Sequence, residues 1–233
     1  MKRLIPFVFL SLLAGCETTA VSDTVISPLS TQAAGYQHGN TTALYWYTSQ
    51  QNQPVKLAEV ITTAHGGRYE SEYRWHEGKL REMKRQGTRV GDEHTLVPFT
   101  LHLRFDPKGQ AVYQRFTQDG SVLPLSEVEL SEPLRQVDTA LQVLRQQRQA
   151  GLSLVQGYWQ QQHMILCGEQ RAKPLTFVTE AAQSMVSQRQ TSAGGYVALA
   201  GKVRRDSIEA SQVLLLADNS QQCLLPPVLL ETQ

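Results

Sequence analysis

Apolar and polar positions fall into four regimes along the chain. Leu4 to Leu13 is almost entirely apolar and stands directly behind Lys2 and Arg3. The run is too short to span a bilayer, which takes about 20 residues, and reads as a secretory leader over residues 1–15. Residues 16–41 are rich in Thr, Ser, Ala and Gly with little periodicity, the pattern of a flexible tether. From residue 42 the pattern is that of strands. Ala43 to Tyr47, Val55 to Thr63 and Arg68 to Trp75 are rich in aromatic and β-branched residues. Turn chemistry separates such runs at His76-Glu77-Gly78-Lys79, at Asp106-Pro107-Lys108-Gly109 and at Asp119-Gly120.

The period then changes. Ser126 and Glu129 form a capping-box pair, and Leu134, Val137, Leu141 and Leu144 follow at 3-4-3 spacing. This predicts one amphipathic helix to about Gln149, stopped by Gly151. Pro133 starts the main helix or kinks a longer one. The stripe fits packing on the sheet, and a partner-helix site is the other use of such a face. Beyond residue 151 the strand pattern returns. Leu152 to Trp159 and His163 to Cys167 read as a hairpin, Thr179 to Arg189 as a short helix, and Gly195 to Val203 and Gln212 to Ala217 as strands. The predicted fold is α+β and β-rich: an antiparallel meander closed by a helix over residues 42–150, then a second β unit over 151–233. A small barrel and a sheet extension both fit the second unit, and Gly201-Lys202-Val203-Arg204 bears a faint likeness to OB-like barrels. Tyr73-Arg74-Trp75 with its turn and following strand is echoed thirty residues on by Leu103-Arg104-Phe105, as in a repeated hairpin.

Composition narrows the class. Hydrophobic residues make up 41% of the chain and charged residues 18%, which supports packed cores and excludes wholesale disorder. A net charge of +1 is too small for a nucleic-acid binder. That slight excess sits in the leader: without Lys2 and Arg3, 20 basic residues face 21 acidic ones, a net charge of −1.

The leader ends in Leu13-Ala14-Gly15-Cys16, which resembles the lipobox of bacterial lipoproteins. The resemblance implies cleavage before Cys16, lipidation of its sulfur and new amine, and attachment to a membrane by several acyl chains, a firm anchor. Glu17 stands where an Asp would retain such a protein in the inner membrane, so the resemblance implies delivery to the outer membrane with the domain facing the periplasm. Two cysteines then remain, Cys167 and Cys223. An even pair in an exported chain reads as a disulfide. Two buried thiols or a metal site are the alternatives, although neither Cys has a Cys or His neighbour at ligand spacing.

Further motifs add a family resemblance. Tyr73-Arg74-Trp75 with Gly78-Lys79-Leu80, Arg104-Phe105-Asp106 with Gly109, Gln156-Gly157 before Trp159, Cys167 followed by Lys173-Pro174, and Leu214-Leu215-Leu216 ahead of Cys223 together resemble the YjaH-like lipoproteins of enterobacteria and vibrios. The likeness spans most of the chain. It implies an envelope location and a two-cysteine pattern, and it brings no catalytic residues.

No nucleophile elbow, P-loop, dinucleotide fingerprint or His-Glu-x-x-His is present. The six histidines, His38, His65, His76, His94, His102 and His163, fit no metal spacing, so neither a metal nor a cofactor is expected. Glu70, Glu72, Glu77 and Glu82 could supply a carboxylate pair, but strand carboxylates more often face solvent. Lys79, Arg81, Lys84, Arg85 and Arg89 form a candidate patch for an anionic ligand, although strand alternation splits them over two faces. The expectation is therefore a non-enzymatic binding module of the cell envelope, membrane-anchored through lipid, with an envelope protein or polymer as partner and no nucleic acid. A hydrolase or small-ligand carrier with a dispersed site, and a lysozyme-inhibitor-like lipoprotein, are the alternatives.

Overall fold

Eight strands follow one another in space as they do in sequence. They are β1 (Leu29–His38), β2 (Thr41–Gln50), β3 (Gln53–Thr62), β4 (Arg68–His76), β5 (Lys79–Val90), β6 (Leu96–Phe105), β7 (Ala111–Gln118) and β8 (Ser121–Leu123). Every neighbouring pair is antiparallel, which makes a single meander. The computed structural model describes residues 27–63, 65–91, 94–188 and 194–231. Leu13, Ala14, Gly15, Cys16 and Glu17 lie outside the described residues.

Leu29–His38 is a strand, where the sequence reading expected tether up to residue 41. Leu29–His38 lacks the usual strand composition because its small residues are needed for close approach. Ala34 is fully buried, and a Cβ on Gly35 would lie 2.1 Å from the Leu214 side chain of the second unit. The outer edge of β1 is covered as well. Gln147 reaches it from the helix, donating to the Gly35 carbonyl and accepting the Gly35 N–H at 3.3 Å. A side-chain amide thus replaces a neighbouring strand at an otherwise open edge.

Helix α1 (Glu127–Ala150) lies against one face of the meander. Ser126 and Glu129 close the capping box, and Gly151 ends the helix at φ 68°. The helix runs through Pro133 rather than starting there. Its buried side is Pro133, Val137, Ala140, Val143 and Leu144, whereas Leu134 is exposed and Leu141 half-buried. The stripe is rotated from the leucine pattern toward smaller residues, which let the helix approach the sheet. The core beneath it includes Tyr45, Leu57, Tyr73, Met83, Leu101, Leu103 and Phe116. The thirty-residue echo has a structural counterpart: both hairpins shift register at the same point, between Arg74 and Trp75 and between Arg104 and Phe105.

The second unit is a closed barrel. Strands β9 (Ser153–Gln160), β10 (His163–Leu166), β11 (Ala172–Phe177), β12 (Gly195–Val203) and β13 (Ile208–Ala217) close in the order β10-β11-β13-β12-β9, with α2 (Glu180–Gln188) between β11 and β12. β11 and β13 are parallel and all other pairs antiparallel. This is the topology of the OB fold, a five-stranded barrel used for many unrelated functions. β11 carries Pro174, which hides it from strand patterning. Trp159, Met164, Val197, Leu199 and Ile208 fill the interior, and Val186 of α2 closes it. The barrel docks on the far face of the meander, where Leu44 and Trp46 meet Tyr196, Ala198 and Leu214.

Residues 218–231 leave the barrel as an irregular strap. Cys223 is bonded to Cys167 with the Cα atoms 6.1 Å apart. Gln156 then pairs with Leu224 in both directions, donating to its carbonyl at 3.1 Å and accepting its N–H at 3.0 Å. Farther on, Glu72 of the meander accepts the N–H groups of Leu229 and Leu230 at 2.6 and 2.9 Å. Arg74 donates to the carbonyls of Leu230 and Glu231. The strap therefore laces barrel to sheet. Replacing both Cys167 and Cys223 by Ser is expected to lower the unfolding free energy in urea by about 2–4 kcal/mol, with the far-ultraviolet circular dichroism of the native state unchanged.

Candidate functional site

One rung on the side of the meander facing α1 carries a buried ion pair. Ala34, Tyr45, Glu59, Ser71, Arg85, Leu101, Phe116 and Leu123 are successive partners across all eight strands. Glu59 is completely buried and Arg85 is 5% exposed. They stand on β3 and β5, with Ser71 of β4 between them. Because Ser71 is small, Arg85 reaches across it, donating to Ser71 Oγ at 2.8 Å and to Glu59 Oε1 at 3.1 Å. Arg85 also donates to Tyr73 Oη at 2.8 Å and to Gln136 of α1, and Tyr73 donates to Glu59 at 2.8 Å. Burial opposes the charge on Arg85, but Tyr73 and Glu59 outweigh it and hold its pKa above the ordinary arginine value. Burial, reinforced by Glu59, pushes the Tyr73 hydroxyl well above the ordinary tyrosine range.

Beside this rung a cleft of about 290 Å³ opens between the first half of α1 and strands β4–β7. Tyr69, Phe99, Leu101, Phe116, Leu125 and Val128 give it apolar walls, and Arg85, Arg89, Glu129, Glu132 and Gln136 give it polar groups. Arg89 lies 4.8 Å over the Phe116 ring and 3.6 Å from Glu129. The Ser126 N–H and hydroxyl, helped by Arg89, keep the Glu129 carboxyl below the ordinary range. The positive and negative side chains lining the cleft balance, which makes it amphipathic without being cationic.

The five residues of the expected anionic-ligand patch do not converge. Arg81, Arg85 and Arg89 share the helix-facing side, and each is engaged: Arg81 with the Phe105 carbonyl, Arg85 with Glu59, and Arg89 with Glu129. Lys84 is on the other face, on the rung of Glu72 and His102, and Lys79 is exposed at the β4–β5 turn. The candidate carboxylates are also dispersed. Glu82 binds His102 and Arg104, both at 2.8 Å. Burial raises its pKa, but these partners prevail and lower it. Glu70 pairs with Arg68, Glu77 is exposed beside His76, and Glu72 is buried under the strap. His65 and His94 lie in connections at one end of the sheet, while His76 ends β4 at the other. Among the described residues, no group of three or more His, Cys, Asp or Glu could hold a metal ion.

Glu59, Tyr73 and Gln136 escaped the sequence reading. The available signal was phase: Glu59 falls in register with Leu57 and Ile61, where an apolar residue belongs. Both faces of β3 are apolar, however, since Ala58 and Val60 are buried too, so alternation alone does not single it out.

Together the fold and cleft define a two-unit β protein: a helix-covered meander strapped to an OB-type barrel. The chain belongs to the family described as protein of unknown function DUF1481, whose model matches residues 33–228. No curated protein and no solved structure matches it.

Two outcomes follow from these contacts. Arg85→Met strands Glu59 in the core and should reduce stability by about 3–5 kcal/mol in urea titration, whereas Arg85→Met with Glu59→Leu should recover most of that loss. Burial raises the Glu72 pKa, but the Leu230 and Leu229 amides, Arg74 and Lys56 lower it below the ordinary value of 4.5. The contribution of Glu72 is therefore complete above that value and lost as pH falls through the folded value. The Leu229 and Leu230 amide resonances should move together over that acid range, and Glu72→Gln should abolish the transition.

Proposed function

We propose that this chain is a bacterial lipoprotein of the YjaH-like kind, anchored in the outer membrane through acylated Cys16 and facing the periplasm. It acts as a non-enzymatic binding module of the cell envelope. The observation that carries the reading is the Cys167–Cys223 bond. Such bonds persist in oxidising compartments and are rare in the cytosol, and export is also what the Leu13-Ala14-Gly15-Cys16 lipobox implies. The dispersal of histidines and carboxylates into separate pairs supports binding over hydrolysis. A second reading, a small-ligand carrier, draws on the cleft under α1. Its apolar walls and balanced charges suit a small amphiphile without net charge, and its volume is at the lower end for small-molecule pockets.

Density-gradient fractionation with fatty-acid labelling tests the anchored reading. The native chain should take up labelled palmitate and sediment with outer membranes. Cys16→Ala should abolish labelling, and Glu17→Asp should shift the protein to the inner membrane. Unlabelled native protein in the soluble fraction would contradict the reading.

A further inference from the structure

A second groove differs in character from the cleft. It has a volume of about 270 Å³ and lies between the last turns of α1 and the ends of β1–β3. Arg145 and Arg148 line it with Tyr47, Ser49 and Asn52, over a floor that includes Leu144. Both arginines are exposed. No carboxylate lines the groove, and neither arginine has an ion-pair partner among the described residues. Arg204 and Arg205 in a barrel loop likewise have no ion pair among the described residues, but Arg145 and Arg148 differ in lining a groove with hydroxyl and amide groups. Arg145 and Arg148 stand three residues apart on α1, so they are neighbours on the helix surface and line the groove together. Two guanidiniums beside hydroxyl and amide donors form a site for a phosphate or similar oxyanion.

The location indicates which phosphate. The groove opens where the described chain begins: Leu29 pairs with Gln50, and Gln50 donates to the Ser27 carbonyl at 2.8 Å. Ser27 lies eleven positions after Cys16, at most about 40 Å of chain. The barrel docks farther along β1 and β2, through Gly35, Thr42 and Leu44, and leaves this end uncovered. We propose that the groove of Tyr47, Asn52, Arg145 and Arg148 seats the phosphate of an anionic phospholipid and fixes how the anchored domain stands on its membrane. The inference rests on the anchored reading, but its test does not depend on acylation.

The mature chain carrying Cys16→Ser, which has no acyl group, would be sedimented with vesicles of phosphatidylglycerol in phosphatidylcholine and with phosphatidylcholine alone. Binding is expected only to the former. Arg145→Gln with Arg148→Gln should weaken it about thirty-fold, and Arg204→Gln with Arg205→Gln, which removes equal charge from an exposed barrel loop, less than about three-fold. Inorganic phosphate titrated by NMR provides the second arm. Saturable phosphate binding without vesicle binding would identify a free-anion site and overturn the lipid assignment. Equal losses in the two double variants, or no binding to the anionic vesicles, would overturn it as well. Loss of palmitate labelling in cells with vesicle binding intact would instead fault the anchored reading alone.

Discussion

The Cys167–Cys223 bond closes the path that joins the two units. It fixes the start of the strap to the barrel beside β10. From that point Gln156 can pair with Leu224, and Glu72 and Arg74 can hold Leu229 to Glu231. The strap has no regular secondary structure, so its backbone groups depend on side chains: Gln156, Tyr158, Glu72 and Arg74 supply the partners that a neighbouring strand would supply elsewhere. Inter-unit contact also rests on Leu44, Trp46, Tyr196 and Leu214 and on the direct chain connection from α1 to β9, to which the disulfide-bonded strap adds a second path. Such a bond persists in oxidising compartments, so the strapped architecture is compatible with the proposed address.

A second constraint lies under α1. A buried guanidinium is tolerated when it is paired and hydrogen-bonded. Arg85 is held by Ser71, Glu59 and Tyr73 in the sheet and by Gln136 in the helix. Gln136 also touches Tyr69 and Glu132, so the polar network tells the helix where to sit as well as pairing the guanidinium, although Glu59 Oε2 stays buried without a hydrogen-bond partner. At the other end Gln147 does similar work on the β1 edge. One helix therefore reads the sheet at two polar points separated by an apolar stripe. The cleft opens beside the first point, and the arginine groove is lined by helix residues on either side of the second.

Much of this was legible in the sequence, for reasons that differ by element. Turns such as Asp106-Pro107-Lys108-Gly109 and the capping box at Ser126 and Glu129 are local chemistry, and local chemistry survives in the structure. The disulfide followed from compartment and count. β1 and β11 were hidden because their residues answer to tertiary demands: Ala34 and Gly35 to close packing, and Pro174 to a strand that propensity disfavours. The leucine stripe misplaced the buried face of α1 by one row, since spacing gives a period but no partner. The basic run on β5 looked like one patch because sequence shows charge without showing what neutralises it. Nothing in the sequence marks Arg145 and Arg148 as a site, because the groove beside them is built by strands nearly a hundred residues earlier.

The proposed export and acylation of the N-terminus go together with an oxidised, strapped fold. The intact mass of the native protein extracted from membranes tests that union most directly. The expected species lacks residues 1–15, carries fatty-acyl mass confined to Cys16, and is lighter by two hydrogens than its reduced form because Cys167 and Cys223 are joined. A native species that retains the leader, lacks acyl mass or holds both thiols free would contradict it.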